Sequence, residues 1–242
     1  MKPGRFILTM ALALLAPVGT AQAQHVPAPV GHVAADDFEH LYDTLEQGID
    51  REAMLDGMTA SMRTQYAAMP AIAAAERQRP GLLDELMTAL RPVLGDYSER
   101  VRLAYRPEMI ELLRSGLTTA EARELAELYA SPLGRIAMGK AAASYRPDNV
   151  LATIGRDGEV SAATVDADMK SMAAEALAKL EPAQLQMLVA KVTAMPAFKS
   201  LAAIMPRMHA IRAKMEHEPT TSDENAAMER AIADLSERYS RE

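Results

Sequence analysis

The chain has 242 residues and a mass of 26.2 kDa, enough to bury a sizeable core as one large domain or two small ones. Its formal net charge is −7, from 26 Lys and Arg against 33 Asp and Glu, and aromatic residues make up 4% with no Trp. That balance argues against a phosphate-neutralising groove and against a base-stacking platform, so no nucleic-acid partner is expected.

The absence of cysteine removes disulfides, thiol nucleophiles and Cys-ligated zinc. Forty-six Ala and 17 Met tilt the composition toward helix. Lys2 and Arg5 precede an apolar run from Phe6 to Leu15 that only Thr9 interrupts, and Pro17 and Gly19 end it. Ala21-Gln22-Ala23 supplies a small-x-small cleavage site, so residues 1–23 are expected to be a secretory signal peptide, with Ala21 and Ala23 as its recognised small residues. The run is shorter than the roughly 20 apolar residues that span a bilayer. The mature chain would begin at Gln24 with a net charge of −9 and would be periplasmic or secreted. No later stretch reaches spanning length without charges, so no membrane span is expected after cleavage.

Residues 24–35 carry Pro27, Pro29 and Gly31 without a helical period and read as a flexible leader. From residue 36 the helical period runs almost unbroken. Asp36 or Asp37 can cap a helix with Phe38, Leu41, Tyr42, Leu45 and Ile49 on one face. Asp50 can cap the next, where Met54, Leu55, Met58, Met62, Tyr66 and Met69 form a stripe that Pro70 stops. Pro80 opens a third segment with Leu82, Leu83, Leu86 and Leu90 inward, kinked or restarted at Pro92. Tyr105-Arg106-Pro107 is expected to start a further short helix that Gly116 ends.

Thr118-Thr119-Ala120-Glu121 has the form of a capping box, and Ser131-Pro132 that of an N-cap with proline at the first helical position. Gly155 and Gly158 mark a polar loop over 154–161, and Ser161 can cap a helix that Pro182 and then Pro196 restart. A last helix is expected over roughly 223–239. From Glu216 onward the chain carries eight acids against three arginines. The expected fold is all-α, an irregular array of about 8–10 helices, with a helical domain over 36–215 and an acidic C-terminal helix assigned to 216–242. Leu117 to Pro132 and Leu180 to Pro196 are spaced 15 and 16 residues apart. A degenerate duplication into two related helical halves and a chance match both account for that spacing.

Residues 118–134, Thr-Thr-Ala-Glu-Ala-Arg-Glu-Leu-Ala-Glu-Leu-Tyr-Ala-Ser-Pro-Leu-Gly, resemble the signature of the DUF2059 family. Thr118, Glu121, Leu125, Tyr129, Ser131, Pro132 and Gly134 fit its pattern, and Leu128 stands where the family more often has Phe. The resemblance covers about 85–145 and, more loosely, 40–210. It implies a helical domain of exported bacterial proteins and brings no known chemistry. Taken by themselves, these residues cap, turn and pack two helices, with Gly134 permitting close backbone approach. A ligand contact at the Tyr129–Ser131 elbow is the alternative.

No Gly-x-Ser-x-Gly elbow, His-Glu-x-x-His or Walker loop is present. His25, His32 and His40 lie in or beside the leader. Met54, Met58 and Met62 share one helix face, and Met205, Met208 and His209 share another, with Met215 and His217 beyond. Thioether and imidazole groups suit Cu(I), yet methionine at helical spacing usually packs a core or lines an adaptable groove for a peptide or partner helix. No catalytic, cofactor-binding or metal-ligating residue is assigned. The expected function is an exported, non-enzymatic helical module that binds a protein or peptide partner or self-associates. A copper-binding protein using Met and His, and a cryptic hydrolase, are the alternatives.

Overall fold

The computed structural model describes residues 36–156 and 158–240. The expected signal peptide with Ala21 and Ala23, and the expected leader with His25 and His32, lie outside them. The described residues form eleven helices and no strand, an all-α array. In chain order they are α1 Asp37–Gly48, α2 Arg51–Ala67, α3 Pro70–Gln78, α4 Leu82–Gly116, α5 Thr119–Ala130, α6 Pro132–Ala142, α7 Asp148–Ile154, α8 Ala162–Ala178, α9 Pro182–Ala194, α10 Ala197–Glu216 and α11 Ser222–Ser240. Among these residues no single helix is long and apolar enough to cross a membrane.

Short-range chemistry sets most helix starts. The Asp36 carboxylate accepts from the Phe38 and Glu39 amides at 3.1 and 2.9 Å, and Asp50 accepts from Ala53 at 3.0 Å. At α4 the cap comes from further back. Gly81, with φ +99°, turns the chain, and the Glu76 carboxylate takes the Gly81 and Leu83 amides, each at 2.9 Å.

The 35-residue α4 is the long axis of the array, about 52 Å at 1.5 Å per residue. It runs through Pro92 and Pro107 without a break, where the sequence suggested a kink or restart and then a new helix. Both prolines sit on the exposed face. Water can therefore solvate the carbonyls that lose their amide partners, and the cost falls short of breaking the helix.

Helices α1, α2, α10 and α11 all pack along α4, while α10 also packs on α8 and α5. The fully buried layer includes Val101, Leu113, Leu125, Met138, Met169, Met172, Leu201 and Met205. Ala141, Ala142, Ala173 and Ala176 are also buried, and such small side chains let α6 and α8 approach closely. A separate last helix begins at Ser222, close to the expected 223, while Glu216, expected to open the acidic segment, closes α10. The last helix is latched to α4 by Arg100, which grips Glu224, and the linker before it by Tyr97 and Tyr105, whose hydroxyls donate to the Glu218 carbonyl and carboxylate.

Candidate functional site

The signature residues Thr118, Glu121, Leu125, Tyr129, Ser131, Pro132 and Gly134 cap, turn and pack the α5–α6 junction. Thr118 Oγ1 accepts from the Glu121 amide at 3.2 Å while the Glu121 carboxylate takes the Thr118 amide at 2.7 Å, completing the capping box. Glu121 also receives the Ser200 hydroxyl, which ties α5 to α10. Leu125 and Tyr129 are buried. Ser131 Oγ accepts from the Gly134 amide at 3.1 Å and donates to the Leu128 carbonyl at 2.6 Å, and Pro132 opens α6. The Ser131 hydroxyl is therefore spent on its own chain.

The cavity of interest lies instead between α2 and α4. It measures about 220 Å³. Met54, Leu55 and Met58 form the α2 wall; Gly95, Ser98, Glu99 and Arg102 form the α4 wall; Tyr145, after α6, lies beneath. Met54, Leu55 and Met58 are half of the stripe legible in the sequence; of its members Met54 is buried, Met62 and Tyr66 are half-buried and Met69 is exposed.

Ion pairs bridge the two walls. Arg91 on α4 reaches Glu52 and Asp56 on α2 at 2.5 and 2.6 Å, Arg63 on α2 reaches Asp84 on α4 at 2.5 Å, and Arg51 reaches Glu99 at 2.8 Å. Exposed pairs contribute little individually, but a row of them across one interface fixes its spacing.

Gly95 and Gly57 act oppositely. A Cβ at Gly57 would come within 2.0 Å of the Tyr145 carbonyl oxygen, so glycine there lets the α6–α7 turn seat Tyr145 under α2. A Cβ at Gly95 would meet only Leu55 Cδ1, at 3.5 Å, an ordinary contact. Glycine inside a helix costs about 1 kcal/mol relative to alanine, and no steric constraint requires it at Gly95. What its missing side chain provides is open space on the cavity wall.

Buried charge lies behind the cavity. Arg102 gives Nε and Nη2 to Glu99, and its Nη1 lies 3.3 Å from Glu46 Oε2. Burial pushes the Glu46 carboxyl upward, against the pull of Arg102 and Arg51. Deeper in, burial raises the Tyr145 hydroxyl and the Glu216 carboxyl, while Arg212 beside both favours their charged forms. A cavity with convergent polar groups of shifted acidity is the usual form of a binding site.

Other candidates are less complete. Ser144 Oγ accepts from Lys179 Nζ at 3.0 Å, the pairing used by serine–lysine hydrolases. Ser144 is 1% exposed, however, and the Lys179 ammonium is held by Glu175 at 2.6 Å, which leaves neither substrate access nor a free base. Among the described residues no cluster of three or more His, Asp or Glu side chains is placed to hold a metal. Met205, Met208, His209 and Met215 are core residues, His217 Nε2 meets the Val160 carbonyl at 3.1 Å, and His40 is exposed on α1.

His209 carries a pH-dependent prediction. Its Nε2 is buried without a hydrogen-bond partner and its Nδ1 lies 3.4 Å from Asp166. Burial lowers its pKa from the ordinary value near 6.5, with Arg212 and Lys170 adding to the effect and Asp166 opposing it. The unfolded chain therefore binds the proton first, so this contribution is intact above about pH 6.5 and is lost as pH falls through the folded value. His209→Leu should flatten the loss of urea midpoint between pH 7 and pH 5.5 relative to the parent. An equal loss in both proteins would contradict this assignment.

No family model, curated protein or solved structure matches the chain.

Proposed function

We propose that the chain is an exported, non-enzymatic helical module that binds a protein or peptide partner by seating one apolar side chain of that partner between α2 and α4. The observation that carries this is the methionine-lined cavity, bridged by ion pairs and left open at Gly95. At about 220 Å³ it falls below the roughly 300 Å³ at which small-molecule sites begin, and it suits a single anchor residue of the kind that dominates interface energetics. Methionine walls tolerate anchors of differing shape. The Arg and Glu side chains lining it, Arg51, Glu52, Glu99 and Arg102, carry equal numbers of each charge and favour a neutral anchor. The N-terminal 1–23 pattern and the DUF2059 resemblance of 118–134 support the exported, helical-module part of the reading.

Selection of a random peptide display library on the mature chain tests it. Enriched peptides should share one large apolar residue, and replacing that residue with Ala should abolish binding. Enriched peptides that lack an apolar anchor, or that keep their affinity after the replacement, would overturn the reading.

A further inference from the structure

Several arginines here use both surfaces of the guanidinium. Arg100 is gripped along its edge by Glu224 and lies over the Tyr97 ring at 5.6 Å. Arg106 is gripped by Asp43 and lies over Tyr42 at 5.6 Å. Arg114 is gripped by Asp36 and Glu111 and lies over Phe38 at 5.6 Å. The group is planar: carboxylates satisfy its edge, and the negative face of a ring attracts its plane.

Arg102 is likewise gripped by Glu99, and among the described residues no ring lies over its face. Glu99 takes Nε and Nη2, and Nη1 lies 3.3 Å from Glu46 Oε2. The side chain is 12% exposed and lines the cavity. With Nε and Nη2 held by Glu99 and Nη1 facing the Glu46 carboxylate, Arg102 offers an occupant its aliphatic stem and its cationic face. Across the cavity stand the thioethers of Met54 and Met58, and sulfur makes favourable contacts with aromatic rings. The space is sufficient, since an apolar cavity of about 150 Å³ already holds benzene.

We propose that the cavity between α2 and α4 is selective for an aromatic ring, presented by the partner as a Phe- or Tyr-type side chain. This rests on the pocket-binding reading above and names its ligand class. The charge complementarity lies between the Arg102 face and the ring quadrupole. The ring completes for Arg102 the arrangement already built at Arg100, Arg106 and Arg114.

The test uses the mature chain labelled with ¹³C at the methionine methyls, with Met54 and Met58 assigned through their Leu variants. N-acetyl-phenylalaninamide and N-acetyl-cyclohexylalaninamide are titrated in turn. They share a carbon skeleton and differ in the π system. Both should shift the Met54 and Met58 methyls, with the phenyl compound binding at least about threefold more tightly, within the range of a partly desolvated cation–π contact. In Arg102→Lys, which keeps the charge and loses the plane, that preference should fall to about one, while Arg91→Lys, outside the cavity, should keep it.

Equal or tighter binding of the cyclohexyl compound to the parent would overturn the aromatic proposal and leave the pocket reading standing. If neither compound moves the two methyls, the pocket reading itself fails. A phenyl preference that survives intact in folded Arg102→Lys would overturn the role given to the guanidinium. Should Arg102→Lys not fold, the phenyl-to-cyclohexyl ratio in the parent still decides the proposal.

Discussion

Alanine at Gly134 should destabilise the protein by about 3 kcal/mol or more, although alanine favours a helix over glycine by about 1 kcal/mol. A Cβ there would lie 2.2 Å from the Leu128 carbonyl oxygen, 2.7 Å from Tyr129 Cα and 2.8 Å from the Tyr129 oxygen. All three are backbone atoms, so no rotamer change relieves the clash. The last turn of α5 would have to move, carrying buried Tyr129 and the Ser131 cap with it. The sequence suggested a close helix–helix contact at Gly134, and the neighbour proves to be the end of the preceding helix. Gly139, in the same α6, is the control: no atom lies within 4 Å of a Cβ there, and Gly139→Ala should stabilise by up to about 1 kcal/mol. Urea midpoints decide both, and a Gly134→Ala midpoint at or above the parent value would contradict the close-approach account.

Arg212→Met should cost about 3–5 kcal/mol. Arg212 is 3% exposed on α10 and is the cation that Glu216, Tyr145 and Glu46 share. Removing it leaves the buried Glu216 carboxyl without its favourable neighbour, and a buried charge without a partner is far more costly than a pair is beneficial. Adding Glu216→Gln should recover part of the loss by removing the stranded carboxyl. The other buried acid nearby, Asp168, has partners of its own in the Asn149 and Val150 amides, at 3.1 and 3.0 Å, and should hold α7 in place throughout. Chemical denaturation of the single and double variants gives the coupling directly. An Arg212→Met protein as stable as the parent would show that the cluster carries no net stabilisation.

What could be read in advance was chemistry confined to a few residues. The Thr118–Glu121 box and the Ser131-Pro132 cap close within four positions, and both form as expected. The prolines within α4 misled because their tolerance depends on which side of the helix meets solvent, which nothing local at Pro92 or Pro107 reveals. Proline at the first helical position allows α3 to start at Pro70, where the sequence suggested only a stop. The two Leu-to-Pro segments both give a capped helix followed by a proline-led one, but α5 buries five residues and α9 only two, Leu188 and Val192. The cavity was half legible. Met54 and Met58 stood out as a stripe, whereas Gly95, Arg102 and Tyr145 join them only through tertiary packing. The Gly57 contact with Tyr145 joins α2 to the α6–α7 turn, far apart in sequence.

The central claim is that the space beside Gly95 is kept for an occupant at the expense of helix stability. Gly95→Leu tests it most directly, because a Cβ there meets only Leu55 and Gly95 lines the cavity that the larger side chain would occupy. Calorimetric titration of an anchor-bearing peptide selected on the parent, alongside urea unfolding, should show Gly95→Leu to be at least as stable as the parent and at least about tenfold weaker in binding, a loss of about 1.4 kcal/mol. Gly139→Ala should gain stability and keep full affinity. Undiminished peptide binding by a folded Gly95→Leu protein would contradict the claim.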